Sequence, residues 1–114
     1  MTGAGFHVEL NHQDDAWTVH CGGELDGTAS LHLSDAIELC LNANPASVLM
    51  DCRDVSFVDS GGLWALLRAS REAFERGVAY SIELSDQIQD TLARAGLLER
   101  MLAGPSAAAT PNPR

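Results

Sequence analysis

The sequence predicts an α/β protein, and three features predict it. Two stretches near the N-terminus alternate apolar and polar residues, helical and strand-like apolar periods then take turns along the chain, and a short uninterrupted apolar run lies between two helical patterns. The expected architecture is an N-terminal β-hairpin followed by β-α-β-α-β-α, a mixed, mostly parallel sheet with right-handed crossovers. With the strands laid down in chain order, both crossover helices fall on one face of the sheet.

The first strand is carried by Phe6, Val8 and Leu10, alternating with His7, Glu9 and Asn11, and Gln13-Asp14-Asp15 breaks the pattern. Trp17, Val19 and Cys21 alternate with Thr18, His20 and Gly22, which completes the hairpin. After Gly22-Gly23 the period becomes helical: Ala29, Leu33, Ile37 and Cys40 recur on one side, with Leu41 beside them and Asp35 and Glu38 outward. Thr28 or Ser30 stands where a capping residue belongs, and Asn44-Pro45 ends the helix. Val48-Leu49-Met50 suits a central strand covered on both faces.

A second helix starts near Asp59-Ser60-Gly61-Gly62. It turns Leu63, Leu66, Leu67, Ser70 and Phe74 inward and Arg68, Arg71, Glu72 and Glu75 outward, until Gly77 stops it. Val78, Tyr80, Ile82 and Leu84 alternate as a fourth strand. Ser85 caps a third helix with Ile88, Leu92 and Ala95 on its apolar side, ended by Gly96. Residues 1–103 read as one domain. Residues 104–114 have no period and are rich in proline and small residues, the composition of a disordered tail.

Charge narrows the function. Basic residues number 7, all arginine, against 16 acidic ones, and the formal charge is −9. Nucleic acid is repelled by such a surface. No basic region precedes an apolar run, and no segment approaches the roughly 20 apolar residues that span a bilayer, so the expectation is a cytoplasmic protein without membrane insertion. Cys21, Cys40 and Cys52 lie far apart, without C-x-x-C spacing or a histidine at ligand distance. They read as reduced, half-buried thiols, and neither a metal site nor a cofactor is expected. His7 and His20 fall on the polar phase of their strands and read as surface histidines.

Residues 48–67 read VLMDCRDVSFVDSGGLWALL: a buried strand, an acidic loop, then a serine and two glycines at a helix start. This displays Ser60 beyond the carboxyl end of a strand, where open α/β sheets place their sites. Gly61 and Gly62 leave the backbone around Ser60 unobstructed, and free N–H groups of a first helical turn tolerate an anion. By itself the pattern also fits a plain helix cap at Asp59 or Ser60, worth about 1 kcal/mol.

The stretch resembles the STAS domain of bacterial anti-sigma-factor antagonists, in which a hydrophobic strand and a short loop lead to Asp-Ser-(Ser/Gly)-Gly-Leu. Gly23-Glu24-Leu25-Asp26 is similar to the turn before that family's first helix, and Ala95-Gly96-Leu97 to the segment after its third. The resemblance runs from about Phe6 to Met101. It implies a regulatory binding protein without catalytic activity, whose unmodified form binds an anti-sigma factor that is also a serine kinase. By the same resemblance Ser60 is the phosphate acceptor, and Glu24, Asp26, Asp59, Ser60, Gly61, Gly62 and Trp64 form the partner-binding set. A phosphatase would reset Ser60. Gly61 stands where many members carry a second serine, which leaves Ser60 as the acceptor in the motif.

Two other readings are weaker. Asp59-Ser60-Gly61-Gly62 also resembles the nucleophile motif of chymotrypsin-like proteases, but a long amphipathic helix follows the serine, and His32 lies on another helix with no route to it. A stressosome-like STAS scaffold, or an accessory subunit of a lipid transporter, keeps the fold and changes the partner.

Overall fold

The computed structural model describes residues 5–94 and Gly96. Its elements are β1 (His7–Gln13), β2 (Ala16–Leu25), α1 (Gly27–Asn42), β3 (Ser47–Val58), α2 (Ser60–Glu75), β4 (Ala79–Leu84) and α3 (Asp86–Arg94). The strands form one sheet in the order β1-β2-β3-β4. β1 pairs antiparallel with β2, and β2-β3 and β3-β4 are parallel. This is the mixed, mostly parallel sheet that the sequence predicts. Ala95 and the segment expected as a tail, 104–114, lie outside the described residues.

Register explains where the core sits. Val19 and Ile82 both pair with Met50, Leu10 pairs with Val19, and Leu84 pairs with Cys52, so one face of the pleat is apolar across all four strands. Helices α1 and α2 pack against each other and against the sheet. Leu33, Ile37, Cys40, Leu66, Ile88 and Leu92 complete a single core cluster with that face. A leucine fully buried there, such as Leu33, contributes about 2–5 kcal/mol over alanine.

Several local expectations are corrected. β2 does not end at Gly22-Gly23 but runs to Leu25, taking up register shifts between His20 and Gly22 and between Gly23 and Glu24. Gly23 has φ 94°, a conformation that favours glycine, so the glycine pair marks an irregularity inside the strand rather than its end. The helix after it is capped by Asp26, whose side chain accepts from the Ala29 amide, not by Thr28 or Ser30. β3 is 12 residues long and absorbs the expected acidic loop, because Asp51 finds partners on the sheet surface. The Val48-Leu49-Met50 run is covered on one face; Leu49, on the other, is only half-buried.

Phe74 is 52% exposed rather than inward. The buried stripe of α2 is Gly62, Ala65, Leu66, Ala69, Ser70 and Ala73, all small but Leu66, which lets the helix lie close to its neighbours. This turns Phe74 to the flank. The three cysteines are fully buried rather than half-buried. The Cys52 thiol is pushed well above its ordinary range by its hydrogen bond with Cys21 and by burial, and burial raises Cys40 as well. These thiols are core side chains.

Candidate functional site

The site is built by two adjacent parallel strands that end side by side. Leu25 of β2 pairs with Val58 of β3, and each strand passes through one aspartate into a helix. Asp26 and Asp59 adopt the same extended backbone, φ −100° with ψ −173° and −174°. Asp26 Oδ1 accepts from the Ala29 amide at 2.8 Å, and Asp59 Oδ1 from the Gly62 amide at 2.8 Å. Each carboxylate thereby satisfies a first-turn donor that has no partner within its helix. The two helix starts lie together at the carboxyl end of the sheet.

Asp59 also reaches across the gap. Its Oδ2 accepts from the Gly27 amide at 3.2 Å, and its own amide donates to the Leu25 carbonyl at 3.3 Å. The helix starts are close because glycines face each other: a Cβ on Gly61 would stand 3.1 Å from Gly27 Cα. Ser60, the first residue of α2, is exposed on this frame.

The structure brings Glu24, Asp26, Asp59, Ser60, Gly61 and Gly62 to this one end, with different parts to play. Glu24 is exposed. Asp26 and Asp59 are half-buried, with their carboxylates engaged in capping. Gly62 is buried beneath Leu25 and shapes the first turn without offering surface. Trp64 follows Ser60 by four residues, hence on the same side of α2, and is 68% exposed. Sequence reasoning missed Phe57, which pairs with Glu24 near the end of β3 and is 48% exposed. Plain alternation groups Phe57 with the buried Val55, and the register shift between them is what turns it outward, so no local signal in the sequence marks it.

A second cluster lies on the sheet face opposite the apolar one. Asp51, 6% exposed, accepts from Arg53 Nε at 2.9 Å and Arg53 Nη2 at 3.1 Å, and His20 Nδ1 stands 3.1 Å from its Oδ2. His20 Nε2 lies 3.1 Å from Asp54, and Arg53 also reaches Glu83 at 3.4 Å. His20 is thus half-buried in an ion-paired group rather than free on the surface. The Arg53 hydrogen bonds hold the Asp51 carboxyl well below the usual carboxylate range, against the opposing effect of burial. Among the described residues no group of three or more His, Cys, Asp or Glu side chains is arranged to hold a metal ion.

The Asp51 shift sets a pH dependence. A carboxyl with a lowered folded pKa stabilises above its unfolded value of about 4, and that contribution fades as pH falls toward the folded value. Asp51→Asn therefore costs about 1–2 kcal/mol at pH 7, toward the low end for a charged hydrogen bond because Arg53 stands in solvent. Urea denaturation of both proteins from pH 7 down to 3 checks this. The gap between them shrinks below about pH 4; a gap that stays constant would show that the Asp51 charge is not what stabilises.

Comparison with known families decides the relationship. The sequence model of the STAS domain matches residues 7–109. The chain belongs to the STAS domain family. No curated protein matches it by sequence. Among solved structures, this STAS domain is similar to an anti-sigma factor antagonist from Mycobacterium paratuberculosis, with a TM-score of 0.74 and 19% identity over 86% of this chain and 84% of that one. It is also similar to the Bacillus cell fate determinant SpoIIAA in its phosphorylated form, with a TM-score of 0.63 and 19% identity over 80% and 85%. A sulfate transporter family protein from Wolinella succinogenes matches with a TM-score of 0.61 and 20% identity over 76% and 71%. At these identities the likeness is one of fold. No described helix of this STAS domain is long and apolar enough to cross a membrane.

Proposed function

We propose that this STAS domain is an anti-sigma factor antagonist: unmodified, it binds an anti-sigma factor that is also a serine kinase, and phosphorylation of Ser60 releases it, so that sigma-factor-dependent transcription is regulated. The observation that carries this reading is the exposed Ser60 on the first turn of α2, with Asp59 capping that turn and Gly61 and Gly62 letting it seat closely against Gly27 and Leu25. The domain supplies a binding surface and an acceptor hydroxyl. The kinase supplies nucleotide and chemistry, and a phosphatase restores the hydroxyl.

The rest of the sheet end fits such a partner. Glu24 and Phe57 flank the helix start, and the overall charge of −9 speeds encounter with a basic face. Trp64 stands one helical turn from Ser60 as an aromatic anchor. Trp64→Ala is expected to weaken binding by about 10–30-fold, the range of a modest interface hot spot. Its melting temperature should not move, since so exposed a side chain contributes little to the core. A fall in melting temperature with unchanged affinity would reassign Trp64 to packing.

The direct test starts with Ser60→Ala as affinity bait, which captures a constitutively bound partner. The recovered kinase is then incubated with the parent protein and ATP, and the phosphate is mapped by mass spectrometry. Label on Ser60 supports the reading, and label that persists in Ser60→Ala refutes it. A second reading, a STAS scaffold or transporter accessory subunit, is favoured by the likeness to the Wolinella succinogenes transporter family protein. Transporter subunits on the bait would select it.

A further inference from the structure

The Asp59 carboxylate is asked to do two things. One oxygen caps α2 through Gly62 at 2.8 Å, and the other ties down the start of α1 through Gly27 at 3.2 Å. Around that second bond Gly27 and Gly61 face each other and bring no side chains to the contact, and the Asp59 amide donates to the Leu25 carbonyl at 3.3 Å. Asp26, by contrast, caps its own helix alone. The side chain that ties the start of α1 to α2 is therefore the Asp59 carboxylate, and it belongs to the residue immediately before Ser60.

We propose that Asp59 is a positioning residue that couples Ser60 to the start of α1, and that a phosphate on Ser60 loosens the coupling. This deepens the antagonist reading and rests on it for its biological use. A phosphoserine brings about −1.5 to −2 charges beside a carboxylate that is already fully engaged. Like-charge repulsion acts on both arms of the bridge. The Gly62 arm is the shorter and lies within the same helical turn; the Gly27 arm is longer and exposed, and it yields first. The modification then alters two neighbouring backbone segments as well as one side chain. The altered surface is the Gly27 amide at the start of α1, while Asp26 keeps its own cap on Ala29. The core beneath stays as it is, because Gly62 remains seated under Leu25.

The test uses the full chain, prepared with phosphoserine inserted at position 60 during synthesis, beside the unmodified protein and Asp59→Asn. Amide hydrogen exchange and amide proton shifts of Gly27, Gly62 and Ala29 are followed by NMR. The phosphate should raise exchange at Gly27 by about tenfold, equivalent to about 1.4 kcal/mol, and move its proton upfield. Ala29, held by Asp26, should not change. Asp59→Asn, whose side chain keeps one oxygen for Gly62 and presents an N–H group to Gly27, should show the same loss at Gly27 with Gly62 retained. An unchanged Gly27 in the phosphorylated protein overturns the proposal, and so does an unchanged Gly27 in a folded Asp59→Asn. Equal change at Gly27 and Ala29 also overturns it, as general loosening. Because the phosphate is built in, these results are independent of whether a kinase chooses Ser60; mass-spectrometric mapping answers that separately.

Discussion

Phosphorylation of Ser60 is expected to lower affinity for the proposed kinase partner by about 100-fold or more, with Ser60→Ala keeping full affinity and Ser60→Asp falling between them. Affinity changes tenfold for each 1.4 kcal/mol, so a hundredfold loss needs about 2.8 kcal/mol. Placing a phosphate dianion in a docked interface meets that figure, since like-charge or unpaired-charge contacts cost several kcal/mol. Aspartate brings a single charge on a shorter arm, and a loss of about tenfold is its share. None of this requires a change of fold. An acidic group on the first turn of α2 lies at the positive end of the helix, where it is tolerated or worth about 0.3–1 kcal/mol. Calorimetric titration with the partner, paired with thermal melts, separates the effects. Parent-like affinity in both the phosphorylated and Ser60→Asp proteins would remove Ser60 from the interface, and a lowered melting temperature would make the loss one of stability.

Much of this arrangement is legible in the sequence because it depends on local period. Alternation in residues 6–11 and 17–22 gives the hairpin, and Ala29, Leu33, Ile37 and Cys40 give the inner face of α1, because burial on one face imposes those spacings. Ser85 could be read as a cap, and its Oγ accepts from the Ile88 amide at 3.2 Å. What local period does not encode is tertiary satisfaction. Asp51 and Asp54 look like loop residues until His20 from β2 and Glu83 from β4 stand around them and Arg53. Phe74 looks like core until the close approach of α2 selects alanines for the inner face.

The site divides along the same line. Ser60 at a helix start follows from Asp59, Gly61 and Gly62 in sequence, as does the nearness of Trp64. That Asp59 bridges to Gly27 depends on β2 running to Leu25 and pairing with Val58, which the glycine pair conceals. Phe57 was hidden by the register shift just before it, which turns it outward although plain alternation groups it with the buried Val55.

Gly62→Ala is expected to destabilise the domain by about 3 kcal/mol or more, whereas Gly61→Ala, one residue earlier, is close to neutral. Helix propensity alone makes the opposite statement, since alanine is better than glycine by about 1 kcal/mol within a helix. Space decides at Gly62. A Cβ there would overlap the Leu25 carbonyl oxygen and stand 2.8 Å from Leu25 Cγ and 2.9 Å from Val58 Cγ2. The carbonyl oxygen belongs to Leu25, which is paired with Val58 of β3 and accepts from the Asp59 amide, so relief must come from moving the start of α2, and overpacking of this kind costs about 1–3 kcal/mol and sometimes more. The Gly62 amide would also be drawn away from Asp59, adding about 1 kcal/mol for a weakened cap. At Gly61 the nearest atoms are Gly27 Cα at 3.1 Å and Asp59 Oδ1 at 3.4 Å. A shift of a few tenths of an ångström relieves that contact, at a cost comparable to the gain in propensity. Urea denaturation of both variants measures the difference directly. Because the same movement would displace Ser60, Gly62→Ala should also be a poorer kinase substrate at temperatures where it is still folded. Equal stabilities for the two variants would mean that the first turn of α2 is not seated on Leu25, and the presentation of Ser60 would then have to arise in another way.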